Sequence, residues 1–371
     1  MKILSIFGTR PEAIKMCPLI KEMRKDDSIE SVVCITGQHK EMLYQVLDIF
    51  GIVANYDLKI MEPNQTLGMI TTKILERLEP VLIKEKPDVV LVHGDTTTSF
   101  AAALVAFYQQ IPVGHVEAGL RTYDKYSPFP EEMNRNLTGK IASLHFAPTK
   151  GNKKNLELEN ITTNVFVTGN TVIDAMQTTV KENYQFREEK LRDIDLCNVS
   201  RKFILMTAHR RENFGKPLGD ICHAVKRIAD EFEDVVFIYP MHKNPNVRGI
   251  VTELLGKHER IILTEPLDVE DMHNLINLSH FVLTDSGGLQ EEAPALGKPV
   301  LVIRTETERP EAVEAGTVEV IGVKEESVYY KIKKLLVDID KYERMSKAIN
   351  PYGDGHACER IVEILKRMIN N

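Results

Sequence analysis

Short apolar runs that alternate with amphipathic stretches along the whole chain are the feature that most constrains its fold. The runs are apolar on both faces, and helical stretches such as 97–109, 217–231 and 324–337 separate them. Strands of this kind, joined by helices, form parallel sheets that are covered on both sides. The predicted strands are 3–7, 31–36, 88–94, 111–118, 144–148, 165–169, 203–208, 235–240, 260–263, 280–284 and 299–303.

A charged stretch near the middle of the chain marks a domain boundary. Residues 181–202 lack apolar periodicity, and a new series of strands starts at 203. A chain of 371 residues suits two domains of roughly 100–200 residues each. We therefore predict two doubly wound, Rossmann-like α/β domains with an interdomain cleft, covering 1–170 and 171–354. In such folds ligands bind at the carboxyl ends of the strands, so the residues there are the first candidates for function.

Composition excludes several classes of protein. The formal net charge of −7 argues against a nucleic-acid partner, so an anionic substrate has to be held by local cations. The five cysteines form no CxxC pair, which favours a reducing compartment over a disulfide framework or a structural zinc site. The amino-terminal residues do not have the pattern of a signal peptide, and no apolar run approaches the ~20 residues of a membrane span. The expected location is cytoplasmic, without membrane contact.

The first strand leads into FGTRPEAIK, which has the chemistry of an anion site. Gly8 permits a tight turn, Pro11 suits the first position of a helix, and Arg10 and Lys15 place positive charge near the helix N-terminus. The spacing is not GxGxxG, so a nicotinamide-binding fingerprint is absent. The alternative is a glycine-capped turn whose cations are solvated.

Three acids follow strands in the first half of the chain. Asp95 and Glu117 each come two residues after a histidine, His93 and His115, and Glu131 opens a predicted helix after two prolines. Three interpretations remain open at this point. The acids cap helices and the histidines are structural, or the pairs bind a divalent metal although no HxH or HExxH cluster is present. In the third interpretation the carboxylates act as general acids and bases.

Cationic residues gather at strand ends in the second half. The segment TAHRREN contains His209 and Arg210, YPMHKNP contains His242, and Arg309 follows the strand at 299–303. Such clusters usually have a negative partner, although a solvated charge cluster is the alternative.

The segment DSGGLQEEAP joins a strand to a helix and predicts a phosphate site. Gly287 and Gly288 let the backbone approach a diphosphate, and Ser286 adds a hydroxyl. Glu292, one turn further along, is placed for the hydroxyls of a ribose. The segment therefore favours a nucleotide or nucleotide-sugar over an ordinary glycine-rich turn with acids at a helix start.

Taken together and in order, these motifs resemble the non-hydrolysing UDP-N-acetylglucosamine 2-epimerases. The resemblance rests on FGTRPEAIK, GQH, HGDTTT, GHVEAGLRT, SPFPEEMNR, TAHRREN, DSGGLQEEAP and ERPEAVEAGT, and it spans nearly the whole chain. It implies the two-domain architecture of B-type glycosyltransferases, with the UDP-sugar between the domains. It also implies that the C-terminal helix, 355–371, packs back on the first domain, and that the protein is a homodimer.

The resemblance implies a reaction and a role for each candidate residue. Family members interconvert UDP-N-acetylglucosamine and UDP-N-acetylmannosamine, by elimination of UDP to 2-acetamidoglucal and re-addition, and commonly feed cell-envelope polysaccharide synthesis. No metal and no cofactor is implied. The residues that match catalytic ones are Asp95, Glu117, Glu131 and His209. The residues that match substrate-binding ones are Arg10, Lys15, Arg135, Arg210, His242, Ser286, Gly287, Gly288, Glu292 and Arg309.

The chain departs from its resembled family at two places. Met272 stands where relatives often carry an aromatic residue near the uracil. Several members are activated by their own substrate at a neighbouring site, for which Gln38, Glu41 and Asn64 are the candidates here. Where such members have Gln and Arg, this chain has Glu41 and Asn64. Three other functions remain: a glycosyltransferase of the same architecture, a hydrolysing relative that releases free N-acetylmannosamine, and a nucleotide-sugar sensor without chemistry.

Overall fold

The computed structural model describes residues 1–37 and 40–369, with all of their side chains except those at 40, 41 and 369. The chain forms two compact units. The first consists of Met1–Thr178 and Tyr352–Asn371, and the second of Thr179–Pro351. The boundary predicted from the sequence, 170/171, falls just before a helix that belongs almost entirely to the first unit.

Within the described residues, the first unit is built on a seven-stranded parallel sheet of order β3-β2-β1-β4-β5-β6-β7. Its apolar strands are covered on both faces: in β1, Ile3, Leu4, Ile6 and Phe7 are all fully buried. The strands are β1 (Lys2–Phe7), β2 (Glu30–Ile35), β3 (Tyr56–Asp57), β4 (Val89–His93), β5 (Val113–Val116), β6 (Leu144–Ala147) and β7 (Val165–Val167).

The helices of the first unit connect these strands, and the last one returns from the C-terminus. The N-terminus of α1 is closed by a capping box in which the Thr9 hydroxyl accepts from the Glu12 amide and the Glu12 carboxylate accepts from the Thr9 amide. The C-terminal helix packs against α1, where Lys366 pairs with Asp26. The helices are α1 (Arg10–Met23), α2 (Lys40–Phe50), α3 (Leu67–Glu85), α4 (Thr97–Tyr108), α5 (Glu131–Ile141), α6 (Lys150–Leu158), α7 (Thr171–Thr179) and, after those of the second unit, α16 (Ala357–Ile369).

The second unit holds a six-stranded parallel sheet of order β10-β9-β8-β11-β12-β13. The strands are β8 (Lys202–Thr207), β9 (Val235–Pro240), β10 (Ile261–Thr264), β11 (Phe281–Thr284), β12 (Val300–Val302) and β13 (Val318–Val320). The helices are α8 (Glu189–Arg192), α9 (Lys216–Glu231), α10 (Pro245–Leu255), α11 (Val269–Leu278), α12 (Gly287–Ala295), α13 (Pro310–Glu314), α14 (Glu325–Val337) and α15 (Ile339–Ser346), with a 3₁₀ turn at Arg211–Asn213.

The predicted fold class of two doubly wound α/β domains is confirmed. In each sheet the first strand, β1 or β8, lies beside the fourth, β4 or β11, and the strand order reverses between them. This is the position at which open α/β sheets bind ligands. None of the helices in the described part of the chain combines the length and the apolarity that a bilayer crossing requires.

Candidate active site

Glu117 is the most closely contacted of the predicted carboxylates in the first unit. It directly follows β5, and its Oε2 lies 2.5 Å from Lys15 Nζ and 2.8 Å from His93 Nε2. All three side chains are less than a fifth exposed. Burial alone would raise the pKa of Glu117, but the charges of Lys15 and His93 and their hydrogen bonds outweigh it, so its pKa lies well below the usual range.

The backbone of Glu117 adopts a conformation that a glutamate rarely takes. Its φ is +62°, in the left-handed region, which costs a non-glycine residue about 1–3 kcal/mol. The following turn contains Gly119 at φ +93°, where an added Cβ would lie 2.2 Å from the carbonyl oxygen of Asn152. The surrounding structure therefore holds this carboxylate in a strained position, which is common at functional sites.

Asp95 has the opposite electrostatic preference. Burial raises its pKa, and the neighbouring carboxylates Glu117 and Glu131 raise it further, while the charge of Arg135 opposes them. Its Oδ2 lies 2.8 Å from Arg135 Nη2. In this unit the pKa of Asp95 is thus raised, whereas the pKa of Glu117 is lowered.

Arg135 is positioned by a residue that sequence reasoning missed. Glu132 is almost fully buried in α5, and its Oε2 lies 3.4 Å from Arg135 Nη1. The same carboxylate accepts hydrogen bonds from the backbone amides of Thr122 (3.1 Å) and Tyr123 (3.0 Å). It therefore joins the loop after β5 to the helix that begins with Glu131. A second acid directly after the predicted Glu131 was the only sequence signal.

Glu12 is the second missed residue of the first unit. Its Oε2 accepts from the amides of Gly8 (3.0 Å) and Thr9 (2.8 Å), and its Oε1 accepts from the hydroxyls of Thr96 (2.7 Å) and Ser99 (3.0 Å). This buried carboxylate ties the turn after β1, which leads into the helix that carries Arg10 and Lys15, to the turn after β4, which carries Asp95.

The spacing of two residues places a histidine and the following acid on the same side only while the strand persists, and β4 does not persist to Asp95. His93 contacts Glu117 rather than Asp95, because β4 ends at His93 and Gly94 turns the chain at φ +62°. Alternation of side chains holds only while a strand continues. His115 Nε2 lies 2.7 Å from the carbonyl oxygen of Gly94, so His115 supports the turn that carries Asp95. Burial lowers the pKa of His115 to about 3.

In the second unit, two arginines converge on the glycine turn that the sequence predicted. Gly287 begins α12, and a Cβ built on it would lie 3.6 Å from Arg309 Nη2 and 3.9 Å from Arg210 Nη2. Ser286 is the N-cap residue of this helix. Guanidinium groups and a helix N-terminus together form an environment for an anion.

The two glutamates that follow this turn have different environments. Glu291 is buried and pairs with Arg309 Nε, so it orients the guanidinium group. Glu292 Oε2 lies 3.6 Å from His273 Nε2, and its Oε1 would lie 3.2 Å from a Cβ on Gly288. Glu292 is therefore the carboxylate that faces the glycine turn.

His209 lies on the turn after β8, beside two other candidates. Its ring stacks on that of His242 at 5.7 Å between centroids and 17° between planes. Burial lowers the pKa of His209, the charges of His242 and Arg210 lower it further, and Asp285 opposes them. The Asp285 carboxylate accepts from the backbone amides of both His209 and Arg210, a contact that sequence reasoning did not anticipate.

Each unit therefore collects its own set of predicted residues. The first brings Lys15, Asp95, Glu117, Glu131 and Arg135 together, and the second brings His209, Arg210, His242, Gly287 and Arg309 together.

The remaining candidates of the first unit are Arg10, Asn64, Gln38 and Glu41. Arg10 begins α1 with Nη1 3.9 Å from Met42 Sδ. Asn64 is exposed at φ +57°. Gln38 and the side chain of Glu41 lie outside the described residues.

The chain matches a family model over most of its length. The model is described as UDP-N-acetylglucosamine 2-epimerase and matches residues 21–366. The UDP-N-acetylglucosamine 2-epimerase of Bacillus subtilis strain 168 is 56% identical over 366 residues, which cover 98% of this chain and 95% of that protein.

Solved structures give the same result. A co-structure of S. aureus MnaA with UDP matches with a TM-score of 0.88 at 56% identity, covering 100% of this chain and 97% of that one. The UDP-GlcNAc 2-epimerase of Neisseria meningitidis, bound to UDP-GlcNAc, matches with a TM-score of 0.87 at 50% identity, covering 99% of this chain and all of that one.

Proposed function

The chain belongs to the UDP-N-acetylglucosamine 2-epimerase family, and on this basis we propose that it interconverts UDP-N-acetylglucosamine and UDP-N-acetylmannosamine by elimination and re-addition of UDP. A carboxylate takes the proton from C2 of the sugar, the C1–O bond breaks, and its electron pair leaves with UDP. The product is 2-acetamidoglucal, with a C1=C2 double bond. In the return step a proton reaches the opposite face of C2 and a phosphate oxygen of UDP re-forms the bond to C1.

The observation that carries this proposal is the pair of carboxylates with opposite pKa displacement. Lys15 and His93 lower the pKa of Glu117, which keeps it in the ionised form that a proton acceptor requires. Burial raises the pKa of Asp95, which favours a carboxyl group able to deliver one. Inversion at C2 needs proton transfer on both faces, and two groups whose pKa values are displaced apart meet that need.

We propose that the second unit stabilises the UDP that leaves. The departing diphosphate accumulates negative charge, which Arg210, Arg309 and the N-terminus of α12 would stabilise in the transition state. UDP bound by MnaA and UDP-GlcNAc bound by the Neisseria meningitidis enzyme support this assignment. Glu292, which faces the glycine turn, would accept hydrogen bonds from the ribose hydroxyls.

Three further parts of the proposal rest on the sequence, the location on composition and the other two on the family resemblance. They are a homodimeric state, a cytoplasmic location, and supply of the product to cell-envelope polysaccharide synthesis.

Proton NMR of the purified protein with UDP-N-acetylglucosamine in D₂O tests the reaction. The expected result is UDP-N-acetylmannosamine with deuterium at C2. Release of free N-acetylmannosamine would instead select the hydrolysing relative. Absence of exchange with each UDP-sugar alone and with both together would overturn the proposal and leave a transferase or a sensor.

Matched variants test the carboxylates. We expect Glu117→Gln and Asp95→Asn each to lower turnover by about 10²–10⁴-fold, because each removes a proton-transfer group. UDP affinity, measured by calorimetry, should stay at the wild-type value and would show that the variants fold. Glu157→Gln changes an exposed glutamate of the same unit and should have no effect. Wild-type turnover in both site variants would contradict the assigned chemistry.

A further inference from the structure

Asp285 is a buried carboxylate of the second unit whose role the reaction described above leaves open. It directly follows β11 and is fully buried. Its Oδ2 accepts three hydrogen bonds: from the amides of His209 and Arg210, each at 2.8 Å, and from Asn213 Nδ2 at 3.0 Å. All three donors belong to the turn after β8, the neighbouring strand. One carboxylate oxygen therefore fixes the backbone of the turn that carries His209.

The other oxygen of Asp285 faces the His209 ring. Asp285 Oδ1 is buried and accepts no hydrogen bond from any residue in the described ranges, yet it lies 3.4 Å from His209 Nδ1. A buried carboxylate oxygen without a donor is costly, and a small rotation of the ring would bring Nδ1–H into hydrogen-bond range. The arrangement thus favours the tautomer of His209 that carries its proton on Nδ1.

The groups around His209 keep its ring neutral near pH 7. The charged and titratable groups that face it are Asp285 from the β11–α12 turn, His242 after β9 and Arg210 on its own turn. Burial lowers the pKa of His209 most, Asp285 opposes this effect, and His242 and Arg210 lower the pKa further, so the pKa lies below its usual value. A neutral imidazole carries a proton on one nitrogen only, so the group that bonds Nδ1 decides whether Nε2 donates or accepts.

We propose that Asp285 is a positioning residue that holds His209 in the Nδ1–H tautomer, so that the unprotonated Nε2 is presented to the substrate as an acceptor. The inference deepens the proposed function. It rests on that function only in assuming that His209, which the family resemblance implies to be catalytic, takes part in turnover. The same carboxylate also fixes the amide of Arg210, whose guanidinium group lies over Gly287. Asp285 therefore links the orientation of His209 to the predicted diphosphate site.

The variant Asp285→Asn separates this role from a purely structural one. The amide oxygen of asparagine can still accept from the two backbone amides, while its NH₂ group replaces Oδ1 and offers a donor to His209 Nδ1. We expect His209 to change to the Nε2–H tautomer, which ¹⁵N spectra of the ring at pH 8 detect, with His209→Gln to assign the signals. We also expect kcat to fall by about 10–100-fold, which is typical when a residue that hydrogen-bonds to a functional side chain and orients it is replaced. The acid limb of the pH profile of kcat should move to lower pH.

Asp271→Asn is the matched control. Asp271 is equally buried in the same unit and also accepts from backbone amides, those of Arg187 (3.0 Å) and Glu188 (2.9 Å). Its replacement should leave the His209 tautomer and the pH profile unchanged, whatever it does to stability. An unchanged His209 tautomer in Asp285→Asn would overturn the inference, as would a loss of kcat without a change in the pH profile. If the wild-type protein shows no epimerase activity, the tautomer measurement still decides the inference while the proposed function fails.

Discussion

Each unit places a buried carboxylate where its strand order reverses, but the side chains around the two carboxylates suit different chemistry. In the first unit Glu12, after the first strand, accepts from Thr96 and Ser99 after the fourth strand. In the second unit Asp285, after the fourth strand, accepts from the amides of His209 and Arg210 after the first. In both cases the carboxylate bridges the two turns between which the strand order reverses.

The surroundings of these two carboxylates differ in charge. In the first unit cations are matched by carboxylates, as in the pairs Lys15–Glu117 and Arg135–Asp95. In the second unit Arg309 is likewise paired with Glu291, but its guanidinium group and that of Arg210 also converge on a glycine turn at a helix N-terminus. The comparison teaches that topology sets where a ligand binds, whereas the side chains on the turns decide between proton transfer and anion binding.

Among the variants that test this comparison, Glu12→Ala has the largest expected effect. The variant leaves the amides of Gly8 and Thr9 and the hydroxyl of Thr96 without their carboxylate acceptor, and each such hydrogen bond contributes about 1.5–3 kcal/mol. The Ser99 hydroxyl loses the same acceptor but keeps the carbonyl oxygen of His93. The turns after β1 and β4 then lose their common support. We expect turnover to fall by about 10²-fold, since small misplacements of reacting groups cost that much. UDP affinity should fall less than turnover, because the proposed diphosphate site at Gly287 lies in the other unit, whereas Arg10 and Lys15 of α1 are further substrate-binding candidates. Initial rates and calorimetry measure the two quantities.

Glu12→Gln serves as the rescue variant. Its amide oxygen can accept from Gly8 and Thr9, and the hydroxyls of Thr96 and Ser99 can rotate to accept from its NH₂ group. We expect it to recover most of the turnover lost in Glu12→Ala. A parallel loss of turnover and UDP affinity in Glu12→Ala would break the comparison, because the two turns would then not serve separate tasks.

Most of the fold could be predicted from the sequence because the buried strands are continuous apolar runs. The predicted strand 235–240 matches β9, and the other predictions differ by a few residues at their ends. The two strands that were missed, β3 and β13, both lie at sheet edges. One is a two-residue strand and the other has a glutamate between two valines, so neither produces an apolar run.

The site was predictable where its chemistry is local and not where it depends on strand order. The glycine turn at Ser286 and Gly287 is readable because glycine, serine and a helix start are adjacent in sequence. Glu12 and Asp285 looked like ordinary acids near helix starts, because their hydrogen-bond partners lie about 75 to 87 residues away along the chain. Only the pairing of the first strand with the fourth reveals what these carboxylates hold.

A smaller effect concerns the acid stability of the first unit. Burial lowers the pKa of His115 to about 3 and that of His145 to about 4, and the two residues are neighbours across β5 and β6. Because the folded-state pKa values lie below the ordinary value of about 6.5, the stability they contribute is complete above that pH and is lost as the pH falls. At pH 5 protonation of His115 in the unfolded chain disfavours folding by about 2 kcal/mol.

Amide hydrogen exchange, corrected for intrinsic rates, measures this loss strand by strand. Between pH 7 and pH 5 we expect protection in β5 and β6 to decrease, and His145→Gln to reduce the pH dependence there. His356→Gln, which changes an exposed histidine of the same unit, is the control and should leave that pH dependence unaltered. Equal pH dependence in wild-type protein and His145→Gln would show that the buried histidines do not set the acid stability of the first unit.

The smallest effect tests the anion site of the second unit through Gly287→Ala. A Cβ at this position meets Arg309 only at ordinary contact distance, 3.6 Å, and alanine suits a helix better than glycine, so the protein should fold with unchanged or slightly higher stability. The methyl group would nevertheless stand between the two guanidinium groups and a bound diphosphate. We expect UDP affinity, measured by calorimetry, to fall by about tenfold, equivalent to about 1.4 kcal/mol.

Gly219→Ala is the matched control, because Gly219 lies in α9 of the same unit and an added Cβ there meets nothing within 4 Å. Both variants replace a helical glycine and should have similar effects on thermal stability, so a difference in UDP affinity between them reports the methyl group at the turn alone. If Gly287→Ala binds UDP as tightly as Gly219→Ala does, the glycine turn is not the diphosphate site. The second unit would then no longer count as the anion-binding unit in this comparison, since Arg210 and Arg309 would converge on a turn that no phosphate approaches.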